Sequence, residues 1–347
     1  MKSTKSPSWI ERLLGLEPQA PPPHVFWLDA AAIGYGAFRR ADGALRFDGH
    51  YHRAGFPAGC FAEGPLGGVL READAFQAAL ESCLADLPGG APSSASLVLP
   101  DDWLRLAFTD VPELSAKREL RDEMLRFKLK RLVPFRVEDL RLAATAVAPL
   151  AADAARVGAS GRGEGAGETS GVRVMIGFAI EQLLQQLEDA FTRAGVHIGR
   201  ITNASLALSA ALTPRFDEED ASLHGVIAVY AHAYTLTFVR AGEPVLYRYK
   251  ALPGGDRISA GTATAVLRDL RLTRSYLDEQ LGHSAANVML AASPDIARAW
   301  SSWIADAFER PPQPVESSTL GLEPGDQPGL SWLEAGTLLG AARLEVA

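Results

Sequence analysis

The chain has 347 residues, 47% of them hydrophobic and 22% charged, with a formal net charge of −8 at pH 7. That length exceeds one simple core and suits two lobes, and the acidic balance excludes an overall nucleic-acid binder, because neutralising phosphates needs a basic face. Two cysteines, Cys60 and Cys83, exclude a disulfide framework and a multi-cysteine metal site. Cys83, set among Leu80, Leu84 and Leu87, reads as a buried free thiol. No apolar run approaches the ~20 residues needed to cross a bilayer, so the chain reads as soluble.

In chain order, residues 1–23 read as a flexible leader. Its short apolar cluster, Trp9, Ile10, Leu13, Leu14 and Leu16, is broken by Gly15 and Pro18 and followed by a stiff proline spacer. Segments 24–29, 33–40 and 44–53 read as three strands, the last two joined at Asp42-Gly43. A helix over 72–87 carries Phe76, Leu80, Cys83 and Leu84 on one side and stops at Pro88-Gly89-Gly90. Strands at 96–99 and 104–108 precede a helix over 115–132 with two apolar stripes. Leu120, Met124 and Phe127 form one; Leu125, Leu129 and Leu132 form the other. A strand at 140–147 follows, and the Gly/Ala/Ser-rich stretch 151–171 reads as a disordered loop.

The strand at 172–178 feeds an amphipathic helix carrying Leu183, Leu184, Leu187 and Phe191, closed by Gly195. After a short strand and helix, segments 225–230, 234–240 and 244–250 repeat the opening three strands, with a turn at Ala241-Gly242. A long helix over 259–281, a strand at 288–290, a helix over 295–308, a loose proline-rich connection and a last helix complete the order. Two halves that each open with three strands and a helix point to a duplicated βββα lobe.

Most sequence signatures of enzyme chemistry are missing. There is no GxxxxGK[ST] phosphate loop and no GxSxG nucleophile elbow. His50 and His52 share a strand face without a third ligand nearby, which reads as a solvated hairpin. Asp101-Asp102 follows Pro100 and reads as a turn. The run Arg126, Lys128, Lys130, Arg131 and Arg136 holds no acid, and reads either as a solvated face or as a docking place for an acidic or polar partner segment.

The stretch 119–140, ELRDEMLRFKLKRLVPFRVEDL, resembles the PilM family of actin-like proteins of type IV pilus machines in its helix, proline-aromatic step Pro134-Phe135 and acidic turn Glu138-Asp139. Similar to the same family are the strand-helix-strand at 177–201, the PGGD at 253–256, the helix at 267–281 and the closing LLGAA at 338–342. The resemblance implies an α/β, actin-like (ribonuclease H-like) two-lobed fold. It divides the chain into a first lobe at 24–204, an inserted subdomain at about 101–172, a second lobe at 205–330 and a helix at 331–347 packing back on the first lobe.

The family's nucleotide site holds phosphate through an Asp-x-Gly turn with following hydroxyls, a second such turn, and a late glycine pair. Here the first turn keeps Asp29 but has Ala31 for glycine, Ala32 and Ile33 for the hydroxyl positions and Gly36 for the basic residue. The second has Ala228 for the acid and Tyr230 for glycine, and the third reads Ala291-Ala292-Ser293. The resemblance therefore implies a pseudo-ATPase without bound cofactor or metal. It implies a cytoplasmic scaffold that docks the N-terminal peptide of a PilN-like inner-membrane protein and links it to the motor ATPase. The docking place expected is Leu125, Leu129 and Leu132 with Arg126, Lys128, Pro134 and Phe135. A working actin-like ATPase or kinase, and a GspL-like type II secretion component, are the alternatives.

Overall fold

The computed structural model describes residues 22–344, apart from 42–43, 65–66, 86, 88, 134–135, 148–170, 217–221, 253–259 and 322–330. The expected leader and most of the expected disordered loop lie outside the described residues. The first lobe holds β1 (His24–Leu28), β2 (Ala32–Ala41), β3 (Ala44–Gly55), α1 (Ala73–Ala85) and β6 (Ser94–Leu99). Between β3 and α1 stands a small hairpin, β4 (Phe61–Gly64) and β5 (Gly67–Leu70), that short glycine-rich segments did not announce. An inserted three-stranded sheet follows, built from β7 (Leu104–Val111), β8 (Leu140–Ala146) and β9 (Val172–Ile180) and covered by α2 (Arg118–Leu129). The chain returns through α3 (Glu181–Arg193), β10 (His197–Asn203) and α4 (Ala204–Leu212).

The second lobe is β11 (Leu223–Val229), β12 (Ala233–Arg240), β13 (Glu243–Ala251), α5 (Ala260–Tyr276), β14 (Ala285–Ala291), α6 (Pro294–Phe308) and β15 (Gln313–Pro314). A π turn, Leu277–Leu281, extends α5 and ends at Gly282 in the left-handed region. The short α7 (Ser317–Leu320) lies in the connection read as loose, and α8 (Trp332–Arg343) is the last described helix.

The two large sheets have one topology. The first runs β10-β6-β1-β2-β3 and the second β15-β14-β11-β12-β13. In each, three consecutive strands pair antiparallel, then a crossover strand pairs parallel with the first. Burial on both faces explains why β1 and β11 read as continuous apolar runs without alternation. Phe26 and Leu28 point to the core beneath α1 and α3, whereas Val25 and Trp27 point to the opposite side.

That opposite side is where the lobes meet. Val25, Trp27 and Val98 of the first sheet and Val226, Ala228, Met289 and Ala291 of the second share one core with α4 and α8. The closing helix packs on β1, β2, β3 and β6 of the first lobe and along α4, which carries the shared core to the second sheet. Its first turn is fixed by a capping box between Ser331 and Glu334. Where α8 crosses α4, Gly340 faces backbone: a Cβ there would overlap the carbonyl oxygen of Ala207 and come within 2.9 Å of the Ala211 nitrogen. At Gly336, one turn earlier, a Cβ would press on the Leu208 side chain. Small residues at this spacing let two helix backbones touch, as in small-xxx-small helix pairs.

Gly340→Ala tests this crossing with a sign reversal. Helix propensity alone favours alanine by ~1 kcal/mol. Backbone contact with Ala207 leaves no rotamer escape, so a net loss of about 3 kcal/mol in urea unfolding is expected. A stabilised variant would show that the helices do not touch there.

Candidate functional site: the crevice between the lobes

In open sheets with parallel strands, sites form beyond the carboxyl ends of those strands. Here β1 and β6 end side by side at residues 28–29 and 99–101, and β11 and β14 at 229–230 and 291–292. Of the residues at these ends, Asp101 and Tyr230 meet across the two sheets.

The first turn is closed on itself. Asp29 Oδ1 accepts from the amides of both Ala31 and Ala32 at 2.6 Å, while the Asp29 amide donates to the Ala32 carbonyl at 3.0 Å. Amides that could face an anion are therefore taken by the residue's own carboxylate. Ala31 is exposed and Ala32 buried, and neither brings a hydroxyl.

The second turn is bridged to the first lobe. Ala228 is buried in the shared core, opposite Ala291. Tyr230, half-buried, turns the chain by donating its amide to the Ala233 carbonyl at 2.8 Å. Its phenol donates to Asp101 Oδ2 at 3.0 Å, and the phenol of Tyr247 on β13 donates to Oδ1 at 2.9 Å. Ser205, near the start of α4, lies against the same carboxyl and is hydrogen-bonded to Thr235 of β12 at 2.7 Å. A carboxyl of the first lobe is thus held by two phenols of the second. Beside it, His232 Nε2 stands 3.8 Å from Asp102, and the Arg105 guanidinium lies 5.0 Å from the centre of the Tyr249 ring.

Asp101 is 3% exposed. Burial pushes its pKa from the ordinary 3.8 up to about 6, with the hydrogen bonds from Tyr247, Ser205 and Tyr230 pulling the other way. The same burial, and the nearby carboxylate, raise both phenols well above their usual value, so they remain donors. The pair read as a turn does form one, with the Trp103 and Leu104 amides donating to the Pro100 carbonyl. Sequence reasoning missed that its first member bridges the lobes. The available signal was an acid two positions after the apolar strand end Leu97-Val98-Leu99. At the third position Ala292 packs on the second core, and Ser293 precedes α6 as its N-cap residue. Among the described residues no group of three or more His, Cys, Asp or Glu could hold a metal ion.

The expected docking stripe is corrected. Leu125 and Leu129 are buried against Val111, Val137, Val174 and Ile176, where no partner can reach them. The reason is the inserted sheet itself, whose apolar strands need a helix lid. Arg126 also turns inward, donating to the Val137 and Leu140 carbonyls, the latter at 3.0 Å. Lys128 is half-buried and Leu132 exposed; Pro134 and Phe135 lie outside the described residues. Two stripes of equal apolar content gave the pattern no means of deciding which one faced inward.

No protein-family model matches the chain, and no curated protein matches it in sequence. Solved structures do. A chain of the PilM-PilN type IV pilus biogenesis complex is 17% identical, with 94% of this chain and 98% of that one covered and a TM-score of 0.70. A Bacteroides thetaiotaomicron protein with an actin-like ATPase fold and unknown function is 9% identical over 86% and 95%, with a TM-score of 0.47. The cytoplasmic domain of EpsL, an inner membrane component of the type II secretion system of Vibrio cholerae, is 11% identical over 78% and 82%, with a TM-score of 0.43.

The Asp101 bridge makes a pH prediction. A folded-state pKa of about 6 against 3.8 means that the folded protein holds this proton more tightly. Its contribution to stability is therefore fully present below the unfolded value and lost as pH rises through about 6. Asp101→Asn is neutral throughout, so the difference in unfolding free energy between pH 5 and pH 7.5 should shrink in the variant. An unchanged profile would remove Asp101 from the pH dependence. In fold, the chain is actin-like, with two large sheets of one topology.

Proposed function

We propose that this protein is a non-hydrolysing, actin-like scaffold of type IV pilus assembly. In this reading it docks the cytoplasmic peptide of a PilN-like inner-membrane protein and links it to the motor ATPase. The observation that carries the loss of chemistry is that both turns are engaged within the chain. The first-turn amides are held by Asp29, and Tyr230 spans the second turn to reach Asp101. Binding a nucleoside triphosphate and its magnesium would need free donors at both turns and an acid free to hold the metal's water. Ala31, Ala32 and Ala228 supply neither. Losing three charge-assisted hydrogen bonds, at ~1.5–3 kcal/mol each, weakens such binding by several orders of magnitude.

The partner reading is supported by the likeness of almost the whole chain to a protein of the PilM-PilN complex. It agrees with the finding that no helix among the described residues is long and apolar enough to cross a membrane. The protein would then reach the inner face of the membrane through its partner.

Calorimetry of the full chain with Mg-ATP near ~1 mM, where any site tighter than about −4 kcal/mol shows, should give no saturable heat. A micromolar dissociation constant that Asp29→Ala abolishes would instead make the protein a nucleotide-binding member of its fold. Docking is tested separately, by gel filtration with a PilN-like N-terminal peptide fused to a carrier. Co-elution is expected, and separate elution would sink the partner assignment.

A further inference from the structure

Among the described residues, five large apolar side chains stand well exposed, and three lie on α2 and the turn after it. Leu120 is 55% exposed and Phe127 60% on α2, and Leu132 is 53% exposed in the turn that follows. At ~100° per residue, Leu120 and Phe127 lie within about 20° of each other on the helix face opposite the buried Leu125 and Leu129. Met124, half-buried, lies between them along the helix and packs on the core of the inserted sheet. This is an apolar stripe two turns long that no described residue covers.

The charges beside it are not symmetric. Lys117, Arg121 and Lys128 project along one flank at helical spacing, and Arg131 lies over the Phe127 ring at 5.1 Å. Among the described residues no carboxylate lies within ion-pair distance of Lys117, Lys128 or Arg131, and Arg121 reaches Asp122 only at 4.0 Å. Of the other cations of this region, Lys130 is exposed and Arg118 pairs with Asp122 at 3.7 Å. Arg126 is bonded to backbone carbonyls, and Arg136 pairs with Asp139 at 3.6 Å. The opposite flank carries Glu119 and Glu123.

We propose that the outer face of α2 is a docking surface for an acidic amphipathic helix of another protein. Its apolar side chains would cover Leu120, Met124 and Phe127, and its carboxylates would run along Lys117, Arg121 and Lys128. One helix laid on another can match one cationic flank and leave Glu119 and Glu123 in water. An anionic membrane pressed on the same stripe would meet those two carboxylates, and a second copy of this chain brings a net charge of −8 with it. The inference does not rest on the pilus reading, because it uses only the charge and exposure of this helix.

The test is fluorescence anisotropy of the full chain with a labelled synthetic helix bearing leucine at i, i+3, i+4 and i+7 and glutamate on one flank. A matched helix with lysine in place of glutamate is the control. Saturable binding of the glutamate helix is expected, at least tenfold tighter than the lysine helix and weakening at least tenfold between ~50 mM and ~500 mM salt. Phe127→Asp should abolish it without moving the melting temperature, because the side chain is already exposed. Lys128→Glu with Arg121→Glu should transfer preference to the lysine helix. Equal binding of both helices, or of neither, would overturn the proposal. So would co-sedimentation with phosphatidylglycerol vesicles, or a dimer in sedimentation velocity, that Phe127→Asp removes.

Discussion

Two helix backbones in contact hold this molecule together. At Gly340 the last described helix meets Ala207 and Ala211 of α4 with no side chain between them. That approach brings α4 and α8 close enough to be shared by both sheets, so that Trp27 and Val98 from one lobe and Val226 and Met289 from the other enter the same core. If the pair were pushed apart by one methyl group, every one of those contacts would lengthen together, because packed interiors have few voids to absorb the shift. The relative placement of the lobes is thus set by close packing of small residues.

On the crevice side the lobes are held by polar bonds. A carboxyl after β6 and two phenols from the second lobe saturate one another, and Ser205 and Thr235 complete the cluster. Such a network is costly if half satisfied and rigid when complete. The small inserted sheet reinforces it, since Arg105 at the start of β7 lies over Tyr249 and Arg173 of β9 approaches the Val245 carbonyl.

The repeating order of strands and helices was legible because each lobe obeys simple periodicity. β1 and β11 are continuous apolar runs, and α3 carries its leucines on one side. The turn at Ala241-Gly242 was readable too, with both residues at positive φ as such a hairpin needs. The β4–β5 hairpin was not, because four-residue strands containing glycine leave no alternation to read. The retained Asp29 and the replacements Ala31, Ala228 and Tyr230 were visible in sequence, yet their consequence was not. Asp29 caps its own turn two and three positions on, and Tyr230 reaches Asp101, 129 positions away, which only the fold brings about. The inward face of α2 was equally hidden, since choosing between two leucine stripes requires the sheet beneath them.

The position of α8 in the chain has a consequence for synthesis. Trp27 and Val98 of the first sheet are both made by residue 99, but the helix that covers them spans Trp332–Arg343. About 240 residues separate the two, which at ~5–20 residues per second is roughly 10–50 s of translation. During that interval a nascent lobe would display a large apolar surface near the ribosome. Shielding by a chaperone, or a transient stand-in contact from α4, is what such a delay calls for.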